Sequence, residues 1–144
     1  MDQALHSQTP SRITAFIAED SAGICERLAA LLEEGDSINV VGQAQTPLDA
    51  IAGILASKPD AVVLDIHLRG GSGLEVIRKL HPMAPQMVFV VLTNYPDPHY
   101  RRLFAEAGAS SLLDKSSEFD RVKQEILTAY AAKRSDADHF HHCS

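Results

Sequence analysis

Asp65 closes the hydrophobic run Ala61-Val62-Val63-Leu64, so a carboxylate stands where a buried strand would open onto solvent. Glu19 and Asp20 close an earlier run, Ile13-Thr14-Ala15-Phe16-Ile17-Ala18. Thr93 follows Met87-Val88-Phe89-Val90-Val91-Leu92, and Lys115 follows Ser111-Leu112-Leu113-Asp114. Four apolar segments thus end in complementary polar groups: three carboxylates, a hydroxyl and an ammonium. The carboxyl ends of the strands in an open parallel sheet line the ligand crevice. Short loops would bring these groups together there, with Asp65 at the centre of the edge. Three carboxylates held close repel one another, an arrangement stable mainly with a cation between them. Oxygen donors without a cysteine or histidine cluster suit Mg²⁺, which takes one or two carboxylates and keeps several waters. The predicted ligands are Asp20, Asp65 and the backbone carbonyl of His67, with Glu19 acting directly or through water. The layout as a whole points to a divalent cation and a phosphoryl group.

Taken singly, each residue has a plainer use. Asp65 or the Glu19-Asp20 pair would cap a helix, Thr93 would sit in a turn, and Lys115 would be a solvated charge. Their joint placement at successive strand ends is what carries the chemical reading.

The elements that must position them follow from the hydrophobic pattern. From Arg12 onward short apolar runs alternate with helical periodicity, the mark of repeated βα units. Strands are predicted at about 12–18, 38–42, 61–65, 87–92 and 110–113. The helix over about 22–34 puts Ile24, Leu28, Leu31 and Leu32 on one stripe and stops at Gly35. Thr46-Pro47-Leu48-Asp49 starts the next, with Thr46 as cap, Pro47 in the first turn and Leu48, Ile51 and Leu55 facing inward. A third spans about 73–80, with Leu74, Val76 and Ile77 inward. A fourth follows Tyr95-Pro96-Asp97-Pro98, carries Tyr100, Leu103, Phe104 and Ala107, and ends at Gly108. The last, about 118–133, buries Phe119, Val122, Ile126 and Tyr130. The expected division is a flexible leader over 1–11, one doubly wound domain over 12–133, and a disordered, polar, His-rich tail over 134–144.

Composition bounds the function. A chain of 144 residues suits one domain, and its net charge of −6 argues against a nucleic-acid surface. No apolar run approaches the length of a membrane span, and the amino terminus lacks a signal-peptide pattern. Two cysteines make no disulfide framework. A soluble, cytoplasmic protein is expected. Cys25 reads as a packing residue, and His139, His141, His142 and Cys143 as part of the polar tail rather than a metal site.

The segments Ile17-Ala18-Glu19-Asp20, Val63-Leu64-Asp65-Ile66-His67-Leu68, Gly71-Ser72-Gly73-Leu74-Glu75-Val76-Ile77, Val91-Leu92-Thr93 and Gly108-Ala109-Ser110-Ser111-Leu112-Leu113-Asp114-Lys115 together resemble the receiver domain of bacterial two-component response regulators. Each piece is weak alone; the combination is specific and covers about residues 12–133. The resemblance implies a flavodoxin-like five-stranded parallel sheet in the order 2-1-3-4-5, with helices on both faces; a receiver protein is a standard example of that order. It implies that Asp65 is the phosphoacceptor in a phosphorelay, served by a sensor histidine kinase or phosphotransfer protein. Lys115 would pair with one phosphoryl oxygen and the Thr93 hydroxyl would donate to another. A conformational change on the face formed by the fourth helix, fifth strand and fifth helix would then reach a downstream protein target, with a homodimer left open. Such a domain catalyses only its own phosphorylation and dephosphorylation.

The chain departs from the family pattern in several places. Leu112 stands at the switch position where Tyr or Phe is usual, Ser116 where Pro follows the lysine, and Arg69 where Pro is common. Asn94 is larger than the usual small residue, and the bulk of His67 and Tyr95 beside the phosphoryl group predicts slow self-dephosphorylation. The string Leu113-Asp114-Lys115-Ser116-Ser117-Glu118-Phe119 looks like receivers joined to helix-turn-helix effectors, yet no patterned output domain follows, so direct DNA binding is not expected. Two other functions fit less well. A phosphate-independent pseudo-receiver accommodates Leu112 and Asn94 but not five retained site residues. A Mg²⁺-dependent phosphatase with an aspartyl nucleophile usually has a second acid two residues on, where this chain has His67.

Overall fold

In the computed structural model, which describes residues 12–95 and 97–143, with side chains to 135, five βα units wind into one sheet with helices on both faces. The elements are β1 (Ile13–Ala18), α1 (Ala22–Glu33), β2 (Ile38–Ala44), α2 (Pro47–Ser57), β3 (Ala61–Asp65), α3 (Gly73–Leu80), β4 (Val88–Thr93), α4 (Pro98–Ala107), β5 (Ser111–Asp114) and α5 (Val122–Cys143). All pairings in the sheet are parallel and the order is β2-β1-β3-β4-β5, as the resemblance implied. Between β3 and α3, His67–Leu68 pairs antiparallel with Gly71–Ser72, a two-residue ladder the sequence pattern did not reveal.

The central strands are unbroken apolar runs because both faces are covered. Alternation along each strand divides the core in two. Phe16, Val62, Leu64, Phe89, Val91 and Leu112 point to the side of α2, α3 and α4, where Ile54, Ile77, Leu80 and Phe104 meet them. Ala15, Ile17, Val63, Val90, Leu92 and Leu113 point to the side of α1 and α5, against Leu28, Leu32, Val122 and Ile126.

Helix starts are set by local chemistry. Ser21 accepts from the Ile24 amide, Thr46 from Asp49 with Pro47 in the first turn, and Asp97 from His99. Ser72 and Glu75 form a reciprocal capping box on α3. Gly108 ends α4 at φ +113°, a left-handed conformation that favours glycine.

Three expectations need correction. In α2 the inward stripe is Ala50 and Ile54, while Leu48 is 77% and Leu55 43% exposed. The helix is apolar on more than one side, so periodicity alone does not choose its face. The Phe16 ring does: it packs so closely on Gly53 and Gly42 that a Cβ at either would lie 2.7 Å from it, and the small residues of α2 must therefore face the sheet. The last helix begins at Val122, after a single 3₁₀ turn over Phe119–Arg121, rather than near 118. It also continues to Cys143 instead of ending near 133, because Ala131-Ala132-Lys133-Arg134 favours helix and no Gly or Pro interrupts the run. The segment 1–11 and the side chains of His139, His141, His142 and Cys143 lie outside the described residues.

The tightest backbone constraint lies beside Asp65. A Cβ at Gly73 would sit 2.2 Å from the Asp65 carbonyl oxygen, and the Gly73 amide donates to the Ile66 carbonyl at 2.7 Å. Gly73→Ala is therefore expected to destabilise the fold by about 1–3 kcal/mol in urea unfolding, the usual range for forced overpacking. Gly23→Ala, whose Cβ would meet only the Ser21 hydroxyl at 3.9 Å, should be neutral or slightly stabilising in the same measurement.

Candidate functional site

Glu19 follows β1 directly, its amide donating to the Ala44 carbonyl of β2 at 3.0 Å. That bond extends the sheet by one residue and carries the Glu19 side chain into the interior, where it is 1% exposed. Asp65 is the last residue of β3 and 5% exposed. Asp20, half-buried, offers a carboxylate oxygen to the same spot: ligand atoms of Glu19, Asp20 and Asp65 all lie within 4.8 Å of one another.

Lys115 reaches back from the end of β5 into this cluster. Its ammonium donates to Asp65 Oδ2 at 2.9 Å and stands 2.9 Å from Glu19 Oε1. The second contact is an ion pair outside good hydrogen-bonding directions, for Glu19 Oε1 is buried and lacks a hydrogen-bond partner. The other Glu19 oxygen accepts from the Ser21 amide at 3.1 Å, and Asp65 Oδ1 accepts from the His67 amide at 3.2 Å.

These positions perturb ionisation. Burial pushes the Glu19 carboxyl up to about 7; the Lys115 ammonium opposes the shift and the charge of Asp65 adds to it. Burial by itself would lower Lys115, but its contacts with Asp65 and Glu19 prevail and its pKa is raised. Cys25 donates its thiol to the Glu19 carbonyl at 3.5 Å. Burial, followed by the charges of Glu19 and Asp20, pushes that thiol up to about 11, so it stays protonated as the packing role expected of it requires.

Thr93, the last residue of β4, is buried. Its hydroxyl accepts from the Tyr95 amide at 3.0 Å and donates to the Tyr95 carbonyl at 3.2 Å, so here it serves its own loop rather than Asp65. The Lys115 amide donates to the Thr93 carbonyl at 2.7 Å, tying the two strand ends together. His67 is exposed, with its ring edge-on to Tyr100 of α4 at a centroid distance of 6.3 Å. Leu112 is buried in the core beneath α4, and Arg101 of that helix donates to its carbonyl at 3.3 Å. Ser116 donates both its amide and its hydroxyl to Asp114, and holds that carboxyl below its usual range; a proline there would offer neither donor.

All five predicted side chains thus reach one edge of the sheet, and four of them are within direct or cation-bridging reach of one another. Sequence reasoning missed Gly73 and the His67–Tyr100 contact. The Ser72-x-x-Glu75 box was a legible sign that a helix starts immediately after the Asp65 loop; the ring contact across two elements had no local sign. As a donor set the three carboxylates fit a hard divalent cation: all are oxygens, and buried Glu19 Oε1 is left without a hydrogen bond.

The comparisons with known proteins agree with this geometry. The family model for the response regulator receiver domain matches residues 15–127, and the chain belongs to that family of two-component signalling domains. Two transcriptional regulatory proteins of Bacillus subtilis (strain 168), YvfU and DesR, are 32% and 30% identical over 122 residues. Each match takes in 85% of this chain but only 61% and 60% of those relatives' lengths. The crystal structure of a two-component response regulator of the LuxR family from Aurantimonas sp. SI85-9A1 superposes with a TM-score of 0.79 at 25% identity, covering 85% of this chain and 87% of that one. The response regulator domain of Thermotoga maritima CheB, at 22% identity and a TM-score of 0.73, covers 85% and 96% and shares the fold. Among the described residues, no helix is long and apolar enough to cross a membrane.

The raised Glu19 carboxyl has a consequence for stability. Its pKa is near 7 when folded and about 4.5 in the unfolded chain, so the folded form holds this proton more tightly. Stability then falls as pH rises from about 4.5 through about 7. In metal-free urea titrations across that window, Glu19→Gln should remove this part of the pH slope. An identical slope in the variant would show that Glu19 ionises normally.

Proposed function

We propose that Asp65 accepts a phosphoryl group from a phosphohistidine on a sensor histidine kinase or phosphotransfer protein, in a Mg²⁺-dependent reaction. The observation that carries this reading is the half-buried Lys115 ammonium set between Glu19 and Asp65 at the carboxyl edge of the sheet, with Asp20 completing the cluster. Asp20 and Asp65 would hold the cation together with the His67 backbone carbonyl, and Glu19 directly or through water. The cation's contribution when bound is neutralisation of charge on the phosphoryl oxygens.

An Asp65 carboxylate oxygen attacks phosphorus in line with the P–N bond; a P–O bond forms, the P–N bond breaks and the imidazole leaves with its electron pair, taking up a proton. Lys115 already touches Asp65 Oδ2, so it needs little movement to pair with a phosphoryl oxygen. Thr93 must move more. Its proton now goes to the Tyr95 carbonyl, and a phosphoryl oxygen on Asp65 would compete for it. Winning that competition would release the Tyr95 carbonyl and shift the loop that leads into α4, a two-state bias of the kind used in phosphorylation switches.

The switched face would be α4, β5 and α5. Leu112 provides no ring to follow Thr93 inward, so the rearrangement would run through the loop and α4, which Arg101 ties to β5. The partner kinase, a downstream protein target and any homodimer belong to this same reading, as does a cytoplasmic site of action.

The direct check is intact mass after incubation with acetyl phosphate and Mg²⁺. One added phosphoryl group is expected, and none in Asp65→Asn or in the presence of EDTA. A folded protein that binds Mg²⁺ yet gains no mass from acetyl phosphate or from a panel of phosphorylated kinases would instead be a phosphate-independent interaction module. In parallel, Asp20→Asn should weaken Mg²⁺ binding at least tenfold by isothermal titration while leaving the fold intact, since Asp20 is only half-buried.

A further inference from the structure

The opposite edge of the sheet carries a second concavity. A cleft of about 700 Å³ lies where α2 ends, where the loop between α3 and β4 crosses, and where the second half of α5 passes over both. Lys58, Pro59 and Asp60, which line it, precede β3, whereas Asp65 ends that strand; Met87 precedes β4, whereas Thr93 ends it. The cleft is therefore at the amino ends of the strands, a strand's length from the carboxylate cluster. Ile54 and Leu80, only 1% and 2% exposed, close its base, and the apolar surface it offers comes from half-buried Met87 together with Leu55 (43% exposed) and Met83 (62% exposed).

Among the described residues, the charges that line it are of one dominant sign. In a chain of net charge −6 with 13 Lys and Arg residues, Lys58, Lys133 and Arg134 converge on this apolar cleft. Asp60, the one acid among the described residues that line it, accepts from the amide and hydroxyl of Thr14 and so holds β1 beside β3. Lys133 donates to the Pro85 and Met87 carbonyls at 2.8 and 3.2 Å, and Arg134 donates to the Tyr130 hydroxyl at 3.1 Å. Among the described residues, those partners leave one ammonium proton and most of the guanidinium to meet an anion. Burial holds the Lys133 pKa below its usual value, a cost to the charged form that a nearby anion would offset.

We propose that this cleft binds a small amphiphile with an apolar body and a single anionic group, the body against Met87, Leu55 and Met83 and the anion toward Lys133, Arg134 and Lys58. Its volume falls in the range of about 300–1,000 Å³ typical of small-molecule sites. A stable protein partner would need far more surface, roughly 800 Å² on each side, than one such concavity offers.

The probe is decanoate below its micellar concentration, titrated into the full chain and followed by amide chemical shifts. Saturable shifts are expected at Leu55, Lys58, Met83, Met87 and Lys133, with decanol binding at least tenfold more weakly because it lacks the charge. Met83→Glu and Lys58→Glu, both at exposed positions, should each weaken decanoate at least tenfold. Both should still gain a phosphoryl group on Asp65 to the same extent as the unaltered chain, which verifies the fold and keeps the two sites separable. No saturable shift, equal binding of decanol, or binding indifferent to both substitutions would overturn the proposal. So would a concentration-dependent dimer that protects the same amides and is not dispersed by decanoate, since a second copy would then be the occupant.

Discussion

A half-buried ammonium between two buried carboxylates governs the carboxyl edge of this sheet. Glu19, Asp20 and Asp65 would repel one another if all were ionised in a poorly hydrated place, and desolvation costs several kcal/mol per ion even after relaxation. Lys115 offsets both effects by standing 2.9 Å from Glu19 and from Asp65 at once. The compensation is incomplete. One cation faces three carboxylates, a Glu19 oxygen is left without a hydrogen bond, and the Glu19 carboxyl is pushed up to about 7. An arrangement short of positive charge by this much is one that a divalent cation would complete.

Meeting that electrostatic demand dictates the backbone. The strand ends are locked to one another by main-chain bonds: Glu19 to Ala44, Ile66 to Leu92 and Lys115 to Thr93. A slip of one residue in any pairing would turn its side chain to the other face of the sheet. Gly73 lets α3 start hard against the Asp65 carbonyl, and the Ser72–Glu75 box fixes its first turn. The site is thus rigid on the Asp65 side. It is looser at Thr93, where a hydroxyl shared only with its own loop can change partners.

That asymmetry bears on how a receiver can work with Leu112 at the switch position. The leucine is buried and contributes to the core under α4, so packing is preserved while a mobile ring is lost. What touches the Asp65 loop from α4 is Tyr100, edge-on to His67. Contact between the Asp65 loop and α4 therefore exists in this chain, made by His67 and Tyr100.

Much of this was legible in the residues themselves. The five strands, the helix starts at Thr46 and Ser72, the stop at Gly108 and the identity of the five polar groups at strand ends are local properties, set by apolar periodicity, capping chemistry and the few residue types that tolerate a left-handed turn. Other features depended on which surfaces meet in space. The inward face of α2 was chosen by Phe16 needing Gly53 beneath its ring, not by the leucines that dominate the helix pattern. The Lys115 bridge and the shift of Glu19 follow from contacts across strand ends up to 96 residues apart in number, from Glu19 to Lys115. Periodicity records which side of an element is apolar. Burial, electric field and clefts between elements arise only when several such sides close on one another, so the chain alone announced the chemistry while the tertiary structure decided its electrostatics.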